Sequence, residues 1–199
     1  AASLGKIVID ASGDGDIAYT SGVPFMQAPK DDPHMMGASL MLRLAKVPSG
    51  FGVPAGANTA VTWGPGMKLN GTDPFELTRA ELELRMKTFE FVNGLRKREG
   101  FEKADLLETA FQIGVRETRR FIGEYVLTKE DAENDVRFED AIAISSNPVP
   151  SYYGKRFFYN HLGFDVPYRC VIPKIVDRLL FAGRNLSMEQ APWQSARSM

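Results

Sequence analysis

Residues 6–16 read Lys-Ile-Val-Ile-Asp-Ala-Ser-Gly-Asp-Gly-Asp. The β-branched run Ile7, Val8 and Ile9 is typical of a buried β-strand. The run stops abruptly in a loop with two glycines and three aspartates. Glycines let backbone N–H groups face a ligand at close range, and open α/β sheets bind ligands just past the carboxyl ends of their strands. The stretch therefore predicts a strand followed by a ligand-facing loop.

Three interpretations of this loop compete at the level of sequence. One is a turn that contacts a nucleotide or a flavin. Another is a calcium loop, because five residues occupy the first, third, fifth, sixth and seventh places of an EF-hand: Asp10, Ser12, Asp14, Gly15 and Asp16. The calcium interpretation is weakened by Ser21, which stands at the twelfth place, where a bidentate glutamate is needed. The third interpretation is a polar turn without any ligand.

The composition is that of an ordinary globular protein. The 199 residues are 44% hydrophobic and 25% charged, with a net charge of −1. This balance favours neither nucleic acid nor an anionic membrane surface as a partner. The single cysteine, Cys170, excludes an internal disulfide framework. Only two histidines accompany it, so a His/Cys metal site is not expected.

The hydrophobic pattern predicts mixed helices and strands without regular βαβ alternation, which indicates an α+β fold. Residues 39–45 alternate apolar and polar side chains and predict a strand. Asp73, Pro74 and Glu76 form a helix start, and the helix is expected to run to about residue 97 with Leu84 on its apolar side. A shorter helix is expected over residues 104–112. Residues 121–127 and 141–144 are expected strands, and residues 128–131 begin another helix. Residues 177–184 are expected to form a strand that runs into a glycine turn.

Two further features suggest candidate pocket residues. The aromatic residues of segment 152–159 could line a substrate pocket or pack in a core. His161 could accept a proton, although a structural role is the commoner one for a histidine.

Four motifs in this order resemble the family of FAD-dependent oxidoreductases, which are two-domain flavoproteins. The first is the loop of residues 10–16, in which Ser12 stands where the family usually has threonine. The others are Leu-Thr-Arg-Ala-Glu at 77–81, Gly-Val-Arg-Glu-Thr-Arg-Arg at 114–120 with Gly-Glu-Tyr-Val-Leu-Thr at 123–128, and Pro-Tyr-Arg at 167–169 with Ile-Pro-Lys at 172–174 and Leu-Leu-Phe-Ala-Gly-Arg at 179–184. Any one motif is weakly specific, whereas four in order are fairly specific.

The resemblance implies an α+β chain in which an inserted, mixed α/β substrate domain is flanked by parts of a Rossmann-like FAD/NAD(P)-binding domain. Residues 1–30 and 170–199 would be parts of the FAD-binding domain, and residues 31–169 would be the substrate domain. The cofactor implied is FAD. The fourth motif extends to Ser187, and Ser195-Ala-Arg197 resembles the start of the last flavin-contacting segment of the family. The resemblance therefore implies these cofactor-contacting residues: Ser12, Gly13, Asp14, Gly183, Arg184, Ser187, Ser195 and Arg197.

Candidate catalytic side chains are few, because the flavin carries the redox chemistry itself. The densest polar cluster holds Arg116, Glu117 and Arg119, and an arginine there could face the substrate or the anionic side of the flavin. The alternative is an ion-pair network. Arg169 could anchor a carboxylate or a hydroxyl group of the substrate, and its alternative is a salt bridge at a strand edge. The catalytic candidates are Arg116, Glu117 and Arg169.

One departure from the family pattern affects the expected function. The G-x-G-x-x-G loop that opens the family is absent from these 199 residues. Without that loop the FAD pyrophosphate lacks the backbone N–H groups and the helix N-terminus that mainly bind it. This chain alone is therefore expected to bind FAD weakly or not at all. The expected function is part of an oxidoreductase that passes hydride from a small organic substrate to flavin, with the missing remainder of the FAD domain as a partner. The alternative is a truncated, non-catalytic module that binds a ligand or partner without flavin.

Overall fold

The computed structural model describes residues 4–150, 157–158 and 163–197. Most of the aromatic segment 152–159 lies outside the described residues, and so does His161. The chain divides into two compact units, one formed by residues 28–117 and the other by residues 1–27 together with 118–199. Each unit is built around its own sheets.

The unit of residues 28–117 contains one antiparallel sheet and one long helix. The strands are β3 (Ala38–Ala45), β4 (Val53–Pro54), β5 (Thr59–Met67) and β6 (Asp105–Thr109), and the helix is α2 (Pro74–Leu95). The sheet has the strand order β4-β5-β3-β6. Strand β3 is central, and its alternating residues Leu40, Leu42 and Leu44 are almost fully buried. The expected strand over residues 39–45 is confirmed.

Helix α2 begins where the sequence predicts. The Asp73 carboxylate accepts hydrogen bonds from the backbone N–H groups of Phe75 at 2.8 Å and Glu76 at 3.3 Å. Pro74 occupies the first turn, where its missing N–H costs nothing. The buried face of the helix packs on the sheet in one apolar core and comprises Ala80, Leu84, Thr88, Val92 and Leu95.

The helix expected over residues 104–112 is wrong, because β6 forms there instead. Strand β6 pairs antiparallel with the free edge of β3, with Leu42 opposite Thr109 and Ala45 opposite Asp105. Sheet pairing satisfies the backbone of β3 and overrides the helical preference of the segment. Gly114, expected as a helix cap, exchanges backbone hydrogen bonds with Ser39.

The second unit combines short strands and short helices. Its strands are β1 (Val8–Asp10), β2 (Phe25–Met26), β7 (Arg120–Phe121), β8 (Ala141–Ser145), β9 (Val149–Pro150), β10 (Phe157–Phe158), β11 (Phe164–Pro167) and β12 (Leu179–Phe181). Its helices are α1 (Asp16–Thr20), α3 (Lys129–Glu133) and α4 (Gln190–Ala196), with a 3₁₀ turn at Tyr168–Cys170. Among the described residues the strands pair two by two, as β1-β12, β2-β7, β8-β11 and β9-β10. The expected strand over residues 121–127 is reduced to β7.

Strands β1 and β12 come from opposite ends of the chain and pair in parallel, with Val8 opposite Leu179 and Asp10 opposite Phe181. This pairing confirms that the two ends share a sheet. The expectation that β1 is a buried strand is wrong, because Ile7 is 63% exposed and Ile9 is 60% exposed. In the described part of the chain this sheet has two strands. Leu179 and Phe181 of β12 are buried, whereas Ile7 and Ile9 are exposed.

The mixed α and β content is that of an α+β fold, as the sequence predicts. The division into units assigns residues 118–169 to the same unit as the two chain ends. The boundaries 1–30, 31–169 and 170–199 remain predictions from the family resemblance. None of the described helices has the length and apolar character needed to span a bilayer.

Candidate functional site

The parallel pairing of β1 with β12 brings two loops to one edge. The N–H of Ala182 donates to the carbonyl of Asp10 at 2.9 Å, and the side-chain amide of Asn185 donates to the same carbonyl at 2.9 Å. The loop after β1 and the turn after β12 therefore leave the sheet side by side. This is the edge at which parallel strands present ligand-binding loops.

The Asp10 carboxylate organises the loop of residues 10–16. It is fully buried and accepts hydrogen bonds from the N–H of Ser12 at 3.1 Å, the hydroxyl of Ser12 at 2.6 Å and the N–H of Ala18 at 2.8 Å. The Ser12 hydroxyl in turn accepts from the N–H of Asp16 at 2.9 Å. A carboxylate that satisfies several loop donors fixes the loop in one conformation.

Gly15 is required by the close approach of a ring. A Cβ atom at Gly15 would lie 2.0 Å from the Cε2 atom of Phe121, and the residue has a φ of +68°. Only glycine combines that backbone angle with the missing Cβ. The loop therefore lies directly against the side chain of Phe121, in strand β7.

Gly13, Asp14 and Arg184 meet at the surface of this loop. The guanidinium of Arg184 donates to the Asp14 carboxylate at 2.7 Å, and both side chains are about a quarter exposed. The same guanidinium would lie 3.4 Å from a Cβ atom at Gly13. The buried Nε atom of Arg184 has no hydrogen-bond partner among the described residues. The terminal part of this guanidinium therefore lies beside the Gly13 backbone, and its Nε keeps a hydrogen that no described residue accepts.

Gly183 forms an open turn immediately before Arg184. Its φ is +104°, and a Cβ atom there would meet nothing within 4 Å. The turn therefore leaves room for a ligand next to the guanidinium. Of the eight cofactor candidates, the structure brings five together at this edge: Ser12, Gly13, Asp14, Gly183 and Arg184.

The remaining three candidates make other contacts. The fully buried Ser187 hydroxyl accepts from the N–H of Gly123 at 2.9 Å. The Ser195 hydroxyl donates to the carbonyl of Asn147 at 2.6 Å. The half-buried guanidinium of Arg197 lies 6.0 Å from the ring centre of Trp193. The two serine hydroxyls therefore form hydrogen bonds with backbone groups of the protein.

Arg119 reaches the loop, although the sequence assigned it no contact there. Its guanidinium donates to the Asp16 carboxylate at 2.9 Å and lies 4.0 Å above the ring centre of Tyr19. The residue is 8% exposed. The arginine-rich motif of residues 114–120 is the signal that pointed to this region, but its spacing does not tell which arginine turns toward the loop.

Arg116 and Glu117 belong to the unit of residues 28–117. Arg116 is half-buried, and burial lowers the pKa of its guanidinium. Within the described ranges no carboxylate forms an ion pair with Arg116. Glu117 is 2% exposed, and its carboxylate accepts from the N–H of Met36 at 2.8 Å. Arg116 is thus a partly buried cation, and Glu117 is a carboxylate that accepts a backbone hydrogen bond.

Arg169 forms a two-pronged ion pair with Asp140. Its Nε and one terminal nitrogen donate to the Asp140 carboxylate at 3.0 Å and 3.2 Å. The hydrogen bond from Arg169 lowers the pKa of Asp140. The guanidinium also lies 5.0 Å from the ring centre of Tyr125. This geometry is that of the salt bridge given above as the alternative to a substrate anchor.

The carboxylates that would bind calcium in the loop of residues 10–16 instead contact protein donors. Both oxygens of Asp10 are engaged by loop donors, and Asp14 and Asp16 each pair with an arginine. In the part of the chain that the structure describes, no three side chains of His, Cys, Asp or Glu are grouped so as to hold a metal ion.

The edge formed by β1 and β12 fits one part of a dinucleotide cofactor. A pyrophosphate needs backbone that it can approach closely and donors in a fork, and Gly13, Gly183 and Arg184 supply these features. The carboxylate of Asp14 currently occupies one prong of that fork. The residues present therefore fit the phosphate portion of FAD.

Comparison with known proteins identifies the family. A model described as FAD dependent oxidoreductase matches residues 52–199. The match starts after the loop of residues 10–16, which is linked to the matched region by the β1-β12 pairing. No curated protein and no solved structure matches the chain. Because the family match covers well over half of the 199 residues, the chain belongs to the FAD-dependent oxidoreductase family, whose cofactor in the full-length protein is FAD.

Proposed function

We infer that this chain is part of an FAD-dependent oxidoreductase that passes hydride from a small organic substrate to the flavin. The observation that carries the proposal is the β1-β12 pairing, which sets two predicted cofactor loops side by side in a member of this family. Bound FAD supplies the two-electron acceptor. The protein's contribution is to bind, orient and shield the reacting groups.

The phosphate portion of FAD would be held at the edge of β1 and β12. Arg184 provides a guanidinium whose Nε is buried and unpartnered within the described residues. Gly13 and Gly183 let the backbone approach the phosphates, since neither carries a Cβ atom. For a phosphate to use both prongs of Arg184, the Asp14 carboxylate must give up its 2.7 Å contact.

The substrate side of the proposal involves the catalytic candidates. Arg116 is the strongest, because a half-buried guanidinium without an ion pair to the described residues suits an anionic substrate group or the anionic side of the flavin. Glu117 holds the backbone at Met36 and would act as a positioning residue. Arg169 retains its proposed anchoring role only if its pair with Asp140 opens.

The proposed arrangement places a substrate domain between two parts of the FAD-binding domain, with boundaries near residues 30 and 170. The proposed partner is the remainder of the FAD-binding domain, including its G-x-G-x-x-G loop. Exposed apolar side chains on β1 and beside it support this proposal, because Ile7 and Ile9 are more than half exposed. A strand with such side chains is suited to burial under a further layer.

A second candidate function is a non-catalytic module that binds a ligand or partner without flavin. The absence of G-x-G-x-x-G from the 199 residues favours it. The two functions differ in whether the full-length protein binds FAD and transfers hydride to it.

Titration of FAD against this chain tests the proposal. We expect weak binding that saturates only at high micromolar FAD. The measurement is the quenching of flavin fluorescence. Arg184→Gln should weaken that binding by about tenfold, since one charged hydrogen bond to phosphate is lost. Arg178→Gln is the matched control and should leave the affinity unchanged, because Arg178 is an exposed arginine that precedes β12, whereas Arg184 follows it.

Three results would contradict parts of this proposal. Purification of the chain with nearly one equivalent of flavin would refute weak binding. Equal affinity of the Arg184→Gln variant and the wild type would remove Arg184 from the phosphate site. A full-length protein without flavin would favour the non-catalytic alternative.

A further inference from the structure

Helix α2 has two apolar faces, and only one of them is covered. Its second face carries four large apolar side chains that are exposed: Phe75 at 84%, Leu82 at 63%, Met86 at 72% and Phe89 at 66%. An exposed apolar stripe of this kind on a charged helix marks an interaction surface.

The spacing of the stripe is regular. Phe75 and Phe89 lie seven residues before and seven residues after Leu82. Seven residues are close to two helical turns, so the three side chains share one side of α2 and span about 21 Å along its axis. Met86 follows Leu82 by one turn and lies within the same stripe. A heptad spacing is the pattern by which two helices pack along their length.

The stripe is complementary to itself about a twofold axis. If a second copy lies antiparallel with the axis at Leu82, the two Leu82 side chains meet at the centre. Phe75 of each copy then meets Phe89 of the other, because both are equally distant from the centre. Aromatic pairs of this kind contribute beyond the area they bury.

The charges beside the stripe favour the same arrangement. Arg79 and Glu83 lie on one flank of the stripe, 57% and 41% exposed, and pair at 3.6 Å within the helix. The twofold axis keeps this flank on the same side in both copies. Arg79 lies three residues before the axis and Glu83 one residue after it, so Arg79 falls about 3 Å along the axis from Glu83 of the other copy. Each Arg79 therefore meets Glu83 of the other copy, and these two opposite-charge pairs flank the two Glu83 side chains at the centre.

We propose that α2 packs antiparallel against α2 of a second copy of this chain, with Leu82 on the twofold axis. The eight apolar side chains would bury on the order of 1,000 Å², at the lower limit for a specific interface. The resulting dimer is expected to be weak and to depend on concentration. This proposal is independent of flavin binding.

Sedimentation of the 199-residue chain over a range of concentrations tests the dimer. The wild type should shift from monomer to dimer, and Leu82→Glu should raise the dissociation constant by more than about tenfold by placing two charges at the axis. Leu4→Glu is the matched control, since Leu4 is fully exposed and lies outside the helix. Circular dichroism should show that both variants are folded. A wild-type chain that stays monomeric, or a Leu82→Glu dimer of unchanged strength, would overturn the proposal.

Cysteine cross-linking tests the register, because the native Cys170 is buried. Oxidation should link Leu82→Cys chains to each other. Phe75→Cys chains should link to Phe89→Cys chains when the two are mixed, and much less to themselves. Efficient self-linking of Phe75→Cys would indicate a parallel pair and contradict the proposal.

Charge reversal gives an independent check on the flank. Arg79→Glu alone should weaken the dimer, because it faces Glu83 of the second copy. The double variant Arg79→Glu/Glu83→Arg should restore it. A double variant as weak as the single one would show that these charges do not meet across the axis.

Discussion

Each of the two units of this chain is stabilised internally by a different kind of contact. Residues 28–117 bury a continuous apolar core between one sheet and α2. The unit of residues 1–27 and 118–197 contains nine of the twelve buried polar or charged residues in the described part of the chain. Apolar burial is additive and tolerant, whereas buried polar groups are stable only when each finds its partner. In the unit of residues 28–117, the stability lost by a substitution should therefore increase with the side-chain volume removed. In the other unit, it should depend on how many buried polar groups lose a hydrogen-bond partner.

The largest expected effect tests the apolar core. Leu84→Ala removes a fully buried side chain from the covered face of α2 and should lower the free energy of unfolding by about 2–5 kcal/mol. Leu82→Ala makes the same chemical change on the exposed face of the helix and should cost less than about 0.5 kcal/mol in dilute solution. Chemical denaturation measures both. Equal losses would show that the core of this unit is not organised around the covered face.

A second prediction concerns the loop of residues 10–16. Gly15→Ala forces a Cβ atom against Phe121 at a positive φ, and the free energy of unfolding should fall by about 2–4 kcal/mol. Gly22→Ala is the control, because Gly22 has a φ of +79° but nothing within 4 Å of its Cβ position. It should cost only about 1 kcal/mol. If the two variants were equally stable, the contact of the loop with Phe121 would not exist in solution.

A third prediction tests the polar contacts directly. Asp10→Asn keeps the size of the side chain but replaces one carboxylate oxygen with an NH2 group. This group is a donor and faces a backbone N–H, which is also a donor, so the free energy of unfolding should fall by about 1–3 kcal/mol. The exposed Asp177 gives the control, and Asp177→Asn should be neutral within about 0.5 kcal/mol. Denaturation curves and flavin titrations should change together for Asp10→Asn. A fully stable variant would show that the three hydrogen bonds to Asp10 do not hold the loop.

The difference between the units also explains which features the sequence predicts. Helix α2 follows from Asp73 and Pro74, and β3 follows from its alternation, because both signals are local. The family resemblance of motifs at both ends of the chain assigns both ends to one FAD-binding domain, and the structure pairs their strands β1 and β12. The strand at residues 105–109 was missed, because its partner β3 lies some 60 residues away in sequence.

The candidate site divides in the same way. The glycine turns and Arg184 come from motifs whose residues face the loop edge. Ser187 and Ser195 have matching motif positions, yet their hydroxyls bond to protein groups. The contacts of a buried polar side chain depend on partners brought by other elements, so residue type and spacing do not determine them.

The smallest expected effect concerns one polar contact of the second unit, the hydrogen bond between Tyr125 and Asp131, and its dependence on pH. The Tyr125 hydroxyl donates to the Asp131 carboxylate at 2.7 Å, and the same carboxylate accepts from the N–H of Thr128 in the capping box of α3. Burial, followed by this hydrogen bond, raises the pKa of Tyr125 to about 12. Tyr125→Phe should cost about 1 kcal/mol at neutral pH.

The sign of the pH dependence follows from proton binding. With a pKa near 12, folded Tyr125 keeps its proton, while the unfolded chain loses it from about pH 10 upward. The unfolded state then binds fewer protons, so the contribution of Tyr125 is complete below pH 10 and is lost as the pH rises toward 12. The stability difference between wild type and Tyr125→Phe should therefore shrink above pH 10, as measured by denaturation at each pH. Tyr19→Phe, which removes an exposed hydroxyl from the same unit, is the control. A difference for Tyr125 that stays constant from pH 8 to 11 would show that its hydroxyl does not donate to Asp131.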